Sequence, residues 1–551
     1  MTSFSWIKLH LLFTSFLFLQ ACDQHQSGQI TNEKKSAGTA SLPLVEVIAK
    51  GANIAGANGI HFGPDGLLYV ASVLGSEIVV MEPDQGAIIR RMGADMGVFG
   101  PDDIAFNKDG SYYWTSILTG EVAGFLPDGN KVIAARLTPG VNPITFSDDG
   151  RLFVSQCFFG SSLYEVDPMG KREARLISDQ LGPHCGLNGM DWGPDNRLYG
   201  PRWFNGEVVS FDINDNTMKT EATGFTTPAA VKFNSRGELH VLDTGTGQVI
   251  SVKEGIHEIV AQFEPGLDNF AFDKDDRLFV SSFTDGYIKR RNPDGSTTTL
   301  QPGGVAHPGG ITLWKGQVVV ADLHSIRGYD PDTGAETFTQ RNILGMGKMG
   351  GAVNLSTDGD NLILVSWVDN DVRVWDQSAQ ELLEKYSGLG APVSAVRYMG
   401  RLVVTEHVNN RVIALNESGK HDVLLENLST PTGLYVDGDK LYLGDRSAGE
   451  IRLIAEKGQM LSPPAVKVSR LNAPEGFVVN KGTYYVHEAG IGHIIRIDPD
   501  GSRILLGSVP AGSPAASPAQ PPSMLFNGLV LADDGSLFTT GETSRVIYKI
   551  H

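Results

Sequence analysis

Residues 57–82 read ANGIHFGPDGLLYVASVLGSEIVVME, and this stretch decides the architecture. It holds three short β-prone runs: NGIHF, LLYVAS and EIVVM. A Pro-Asp-Gly turn joins the first two, and glycine supplies the positive φ that a tight hairpin needs. The same order returns at 141–167 (VNPITFSDDGRLFVSQCFFGSSLYEVD), 187–212 (LNGMDWGPDNRLYGPRWFNGEVVSFD), 430–454 (TPTGLYVDGDKLYLGDRSAGEIRLI) and 526–550 (FNGLVLADDGSLFTTGETSRVIYKI). First strands begin just after positions 58, 102, 142, 188, 229, 268, 309, 350, 394, 432, 475 and 527, at intervals of 38 to 52 residues. No helical period is sustained anywhere. Four short antiparallel strands per unit make a propeller blade. The expectation is therefore an all-β chain of twelve four-stranded blades, arranged as two tandem six-bladed β-propellers, since twelve blades in one ring would leave a very wide hole.

The ends bear on closure. The last unit stops after its third strand at His551, while LPLVEVIAK (42–50) is a strand-like segment ahead of the first unit. That segment is expected to supply a missing outer strand. One assignment has it close the first ring and leaves 294–301 to close the second. The rings then divide as 42–305 and 306–551, with strand exchange blurring the cut. The insertion 509–523 (VPAGSPAASPAQPPS) reads as a surface loop.

Ahead of the repeats, Lys8 precedes the apolar run Leu11–Leu19 and the sequence Leu19-Gln20-Ala21-Cys22. This is a secretory signal too short to serve as a permanent span. A small residue followed by cysteine resembles the bacterial lipobox, which implies removal of most of 1–22 and lipidation at Cys22. Asp23 after that cysteine resembles an inner-membrane retention signal. Residues 23–41 are polar and aperiodic, a tether. The membrane is thus expected to be met only through an N-terminal lipid at the cell envelope.

The composition is globular, with 41% hydrophobic residues, and the net charge of −18 argues against a nucleic-acid partner. Beyond Cys22 there are only Cys157 and Cys185, which secretion permits to pair but which could equally be two buried thiols.

In a propeller the inner strands all start at one face beside the axis, so residues at that register converge. In the first six units they are Asn58, Asp102, Asn142, Asn188, Ala229 and Asp268, and five of the six carry side-chain oxygens. In the second six they are Gly309, Gly350, Ser394, Thr432, Glu475 and Asn527. Amides with two carboxylates suit a hard cation, Ca²⁺ first and Mg²⁺ second, and do not suit zinc. Without an ion, Asp102 and Asp268 would face each other unfavourably. The plainer alternative is that these side chains accept bonds from loop backbone at the strand starts.

Phrases such as GELHVLDTGTGQVISV (237–252) resemble the NHL repeat. The first ring resembles the six-bladed calcium hydrolases, that is gluconolactonase/regucalcin and paraoxonase. LNGMDWGPDNRLY (187–199) is similar to their Asn-Gly segment, and LDNFAFD (267–273) to the paraoxonase Asp-Asn pair. The resemblance implies metal-ligand roles for Asn188, Asp268 and Asn269, with Asn142 matching in position only. It departs at the first blade, where the family offers glutamate and this chain has Asn58; Asp102 would restore the charge.

If the site is catalytic, His184 on the rim is the expected base, with Asp102 and Arg202 beside it and Trp203 and Asp243 lining the mouth. A second cluster comprises Glu406-His407, Asp445-Arg446, His487-Glu488, Glu542 and Glu475, with His307 and His324 in unit seven. It is similar in kind to virginiamycin B lyase. Three functions follow: a calcium-dependent lactonase or esterase acting on a small molecule, an eliminase in the second ring, or a non-catalytic module for a sugar or protein ligand.

Overall fold

Each repeat pairs its strands in sequence order because its turns are too short to allow crossovers. The computed structural model describes residues 44–416, 419–512 and 526–551, and these form twelve four-stranded antiparallel sheets. The leader with Cys22, the tether and most of the insertion at 509–523 lie outside the described residues. Second strands such as Leu68–Ser72, Tyr112–Ser116 and Leu152–Gln156 are buried throughout. They are apolar on both sides because a blade on each side covers them. Outer strands such as Ile88–Met92 are largely solvent-facing, with Ile89, Arg90 and Arg91 exposed and only Met92 buried. At the first hairpin Gly66 has φ +77°, and Asp65 accepts the Leu67 N–H.

Two rings of six blades result. The inner strands of the first and sixth blades, Ala57–Phe62 and Leu267–Phe272, pack together. Ile54, Ile60, Phe279 and Ile288 are buried between those two blades. Likewise Ile311–Trp314 of the seventh blade packs on Leu529–Leu531 of the twelfth.

Closure differs from the sequence expectation. Val45–Ala49 pairs antiparallel with Val546–Ile550, with Val45 opposite Ile550 and Ala49 opposite Ile547. The leading strand therefore completes the twelfth blade and closes the second ring, not the first. Thr297–Gln301 is the sixth blade's own outer strand, opposite Ile288–Arg291. Among the described residues the first ring has no shared strand, and it is inserted between the second ring's leading strand and the remainder of that ring. Polar contacts across its seam substitute: Arg277 and Arg290 both reach Asp84, at 2.5 and 3.3 Å. Gln301 also donates to the Gly86 carbonyl at 2.5 Å.

The rings touch through a buried seam. Arg327 of the seventh blade bonds Asp322 of its own blade and Asp285 of the sixth, both at 2.6 Å. Arg341 adds a 2.9 Å contact to Asp285. The Phe283 and His324 rings meet at 5.0 Å, and Trp203 Nε1 donates to the Leu344 carbonyl at 3.3 Å. Among the described residues no helix is long and apolar enough to cross a membrane.

Candidate functional site

The axial register of the first ring is built by an irregularity repeated from blade to blade. Pairing of the inner strand with its neighbour breaks between Ala57 and Ile60, Pro101 and Ile104, Val141 and Ile144, and Leu267 and Phe270. Such bulges lift residues out of the ladder and re-aim their side chains. Hydroxyls then fix the register between blades. Ser281 donates to the Asn58 carbonyl at 2.5 Å, and Thr115 to the Asn142 carbonyl. Glycine follows Asn58 for a steric reason: a Cβ on Gly59 would sit 2.2 Å from Asp103 Oδ1. A Cβ on Gly189, after Asn188, would meet the Ala229 carbonyl at 2.5 Å.

Asn58, Asp102, Asn142 and Asn188 are 5%, 2%, 7% and 6% exposed, and Asp268 is half-buried. None of these five side chains makes a hydrogen bond or ion pair with a described residue, and Asp102 Oδ1 is wholly enclosed without a partner. The alternative in which they cap loop backbone is therefore not what the fold does with them. Burial, with the charge of Asp268 and Asp103, drives the Asp102 carboxyl well above the usual carboxylate range. Burial and Asp103 push Asp268 up to about 8. Two acids near enough to repel each other and three amides at the same register of their blades thus stand buried or half-buried with no hydrogen-bond partner among the described residues. Oxygen atoms of this kind fit a hard cation.

The layer beneath is satisfied. Asp103 accepts the Ile104 and Ile144 N–H groups at 2.9 and 3.3 Å, and Asn269 Nδ2 across the axis at 3.4 Å. Asp191 accepts Trp192 and Phe233 N–H groups at 3.0 and 2.9 Å. Lys232, buried, places its positive charge near Asp103 and Asp191 and lowers both carboxyls against the burial that raises them. It also helps burial hold His61 down to about 4. Asn269 therefore belongs to this internal layer, not to the open one. Sequence reading missed Lys232 and Asp191. Their signal was present, three residues after Ala229 and Asn188 on the inner strands.

Cys157 and Cys185 form a disulfide that ties the end of the third blade's second strand to the loop entering the fourth. Phe158 and His184, adjacent to its two ends, both have φ +66°, a left-handed geometry unusual for such side chains. His184 is exposed on this loop, its ring 6.2 Å from Phe204. The Arg202 guanidinium pairs with Glu207 of its own blade at 2.7 Å. Trp203 lies beneath the second ring's loop. Asp243 accepts the Thr226, Thr227 and Gly245 N–H groups at 2.7, 2.9 and 3.0 Å, so it fastens its loops and has no room for chemistry.

Four acids of the second-ring cluster fasten loops in the same way. Glu475 accepts Arg446 Nε at 3.0 Å and Asn527 N and Nδ2 at 2.8 Å. Glu488 holds Asn472, Asp445 caps Ser429 and Thr430, and Glu406 bonds Gly390, Asn409 and Arg411. His487 has no exposed surface and bonds Thr539 Oγ1 at 3.0 Å; burial lowers it to about 3. His324 is held at about 4 and His307 well below its ordinary value, both by burial in the inter-ring seam. At the axis Ser394 and Thr432 are also hydrogen-bonded. Among the described residues no three acids, histidines or cysteines are grouped to hold a metal, and the first-ring set has only two acids among its five members.

No protein-family model matches the chain, and no curated protein matches it by sequence. Solved structures resemble it distantly. Virginiamycin B lyase from Staphylococcus aureus is 13% identical with a TM-score of 0.37, over 51% of this chain and 96% of that one. The gluconolactonase XC5397 from Xanthomonas campestris is 16% identical with a TM-score of 0.36, over 44% and 86%. The extracellular domain of BT4673 from B. thetaiotaomicron is 10% identical with a TM-score of 0.32, over 90% and 76%. The likeness is one of propeller architecture and assigns no residue a role.

Proposed function

We propose that the first ring binds Ca²⁺ at its axial mouth and hydrolyses a small ester or lactone there, in a protein held at the cell envelope by lipid on Cys22. The observation that carries this reading is the first ring's axial register, where Asp102 Oδ1 is enclosed without a partner and the buried Asn58, Asn142 and Asn188 and half-buried Asp268 side chains make no hydrogen bond among the described residues, beside a second ring whose axial Ser394, Thr432, Glu475 and Asn527 are bonded. Asn58, Asp102, Asn142, Asn188 and Asp268 would hold the ion. Bound Ca²⁺ supplies polarisation of the substrate carbonyl and stabilisation of the oxyanion that develops on it. Because the acids bind as carboxylates, uptake of the ion releases their protons.

His184 is the base in this scheme. It takes a proton from water as the water oxygen bonds to the carbonyl carbon, and returns it to the leaving alkoxide as the ester C–O bond breaks. The disulfide supports an oxidising compartment. The test is thermal unfolding of chelator-stripped protein across a Ca²⁺ titration, run with a panel of lactones and esters. Expected are a rise in melting temperature and Ca²⁺-dependent turnover, both lost in Asp268→Asn and Asn188→Ala. Stabilisation without turnover would leave a binding module; no response to Ca²⁺ would remove the proposal.

A further inference from the structure

The inner strands of the first ring end, on the face away from the axial mouth, in an aromatic residue: Phe62, Phe106, Phe146, Trp192, Phe233 and Phe272. The fourth blade alone carries tryptophan there. Its turn between the third and fourth strands departs as well, with Ile213 where other blades have Pro83, Pro127, Pro168 and Pro293. Ile213 is buried, and Trp192 packs half-buried on the same apolar group. Phe153 of the third blade stacks on Trp192, with centroids 5.7 Å apart and planes 6° from parallel.

On this face three other seams of the ring are fastened by polar contacts. Lys108 of the second blade donates to the Asp148 carbonyl of the third at 2.5 Å. Ser235 and Arg236 of the fifth bond Asp276 of the sixth, and Arg277 of the sixth pairs with Asp84 of the first. Among the described residues no hydrogen bond or ion pair joins the third blade's hairpin 147–151 to the fourth blade's turns 193–197 and 212–217. A cavity of about 310 Å³ opens at that seam instead. It lies at the small end of the range for small-molecule sites, about 300–1,000 Å³.

Trp192 and Ile213 give the cavity its apolar surface, and Asp148, Asp149, Arg151, Asn196 and Asn214 its polar one. Glu165 holds the Arg151 guanidinium through Nε and Nη2 at 2.8 and 2.9 Å and leaves Nη1 unbonded. Asp149 accepts the Ser147 hydroxyl on Oδ1 only. The Asn196 and Asn214 carboxamides bond nothing among the described residues. The rim thus offers acceptors from two carboxylates, a donor from a fixed guanidinium, and both kinds from two amides.

We infer that this pocket between the third and fourth blades is a carbohydrate site that takes one neutral pyranose unit, separate from the axial mouth. A pyranose has an apolar C–H face, which suits an indole, and an edge of hydroxyls that each donate and accept, which suits a mixed rim. Asp148 and Asp149 repel a phosphate or carboxylate ligand, and Arg151 beside them repels a metal ion. The inference uses neither Ca²⁺ nor His184 and goes beyond the hydrolase proposal.

The probes are the methyl glycosides of glucose, galactose, mannose and N-acetylglucosamine, titrated into the full chain by calorimetry and followed by saturation-transfer NMR. Expected is saturable binding of at least one glycoside, with transfer strongest at its ring C–H protons. Trp192→Phe and Asn214→Ala should each weaken that binding about five- to tenfold. Both should keep the parent's thermal unfolding, since Phe occupies the same place in five other blades and Asn214 is exposed. Chelator and Asp268→Asn should leave the affinity unchanged. Binding of no glycoside, equal affinity in both pocket variants, or loss of binding in Asp268→Asn would overturn the inference; the last would place the sugar at the axial mouth.

Discussion

Removal of Val45–Ala49 tests the unexpected closure directly. The strand lies opposite Val546–Ile550, with four residue pairs in register and one irregularity after Val47. Net values of about 1 kcal/mol per ladder hydrogen bond give roughly 4 kcal/mol for the strand. Ile48 and Ala49 pack on Phe538, Ile547 and Tyr329, which adds about 2 kcal/mol of apolar burial. Together this approaches the whole stability of an ordinary domain, about 5–15 kcal/mol. At about 2–4 °C per kcal/mol, the second ring's unfolding should fall by roughly 12–24 °C. The freed edge of Val546–Ile550 should also promote association between chains. Hydrogen exchange read by mass spectrometry localises the effect. Peptides spanning 311–321 and 537–550 should lose protection, while peptides from 57–92 and 267–301 keep theirs. Loss of protection in the first and sixth blades with 537–550 unchanged would mean that the leading strand belongs to the first ring, and the topology argued here would be wrong.

The remaining predictions concern buried charge. Lys232→Met should cost about 3–5 kcal/mol in urea unfolding by leaving Asp103 and Asp191 without their cation. Asp103→Asn should recover part of that loss in a double-mutant cycle, and strict additivity would show that the two do not interact. With chelator present, the first ring should lose stability as pH rises from about 4 to about 8. The raised carboxyl of Asp268 binds its proton more tightly folded than unfolded, so its contribution is complete below the ordinary carboxylate value and lost through about 8. Asp268→Asn, or saturating Ca²⁺, should flatten that slope; an unchanged slope in Asp268→Asn would exclude this acid as its source. The second ring should behave oppositely. His324 and His487, depressed to about 4 and about 3, favour the folded state at neutral pH and withdraw that preference as pH falls below about 6.5. Protection factors, that is exchange corrected for its intrinsic pH dependence, that are no lower in 318–329 and 483–497 at pH 5 than at pH 7 would contradict it.

Much of the fold was legible because a propeller is local. Every described strand but the leading one pairs with its sequence neighbour, so Asp-Gly hairpins between apolar runs already specify the sheets. The axial residues were legible for the same reason, one position per repeat. What failed was the single non-local pairing. VEVIA carries no address, and any outer edge offers it the same backbone groups; only packing of Ile48 and Ala49 against Phe538 and Ile547 chooses. The second-ring acids misled because catalysis and loop fastening use the same carboxylates at the same strand ends. Asp445 and Glu488 differ from a reactive acid only in the N–H groups they already hold, which sequence does not display. Lys232 was overlooked because a lysine on an inner strand reads as solvent-facing until the axis is seen to be closed around it. The pairing of Cys157 with Cys185 had no sequence signal beyond the cell compartment.

The two rings differ in a way that links closure to chemistry. The second is closed by a shared strand and bonds its own axial polar groups, so it needs nothing at its centre to be stable. The first has neither feature. Its seam lies between the first and sixth blades, which contribute Asn58 and Asp268 to the axial level, and Ser281 of the sixth blade already reaches across to the Asn58 carbonyl. A cation shared by Asn58 and Asp268 would join the two blades that no strand joins. On the proposed reading the ion is then both reagent and fastener, and its linkage energy should appear first at that seam. Calcium should slow exchange in 57–62 and 267–272 more than in any blade of the second ring. Uniform protection of both rings would mean instead that the ion acts on the molecule as a whole, and the axial oxygens would lose their claim to it.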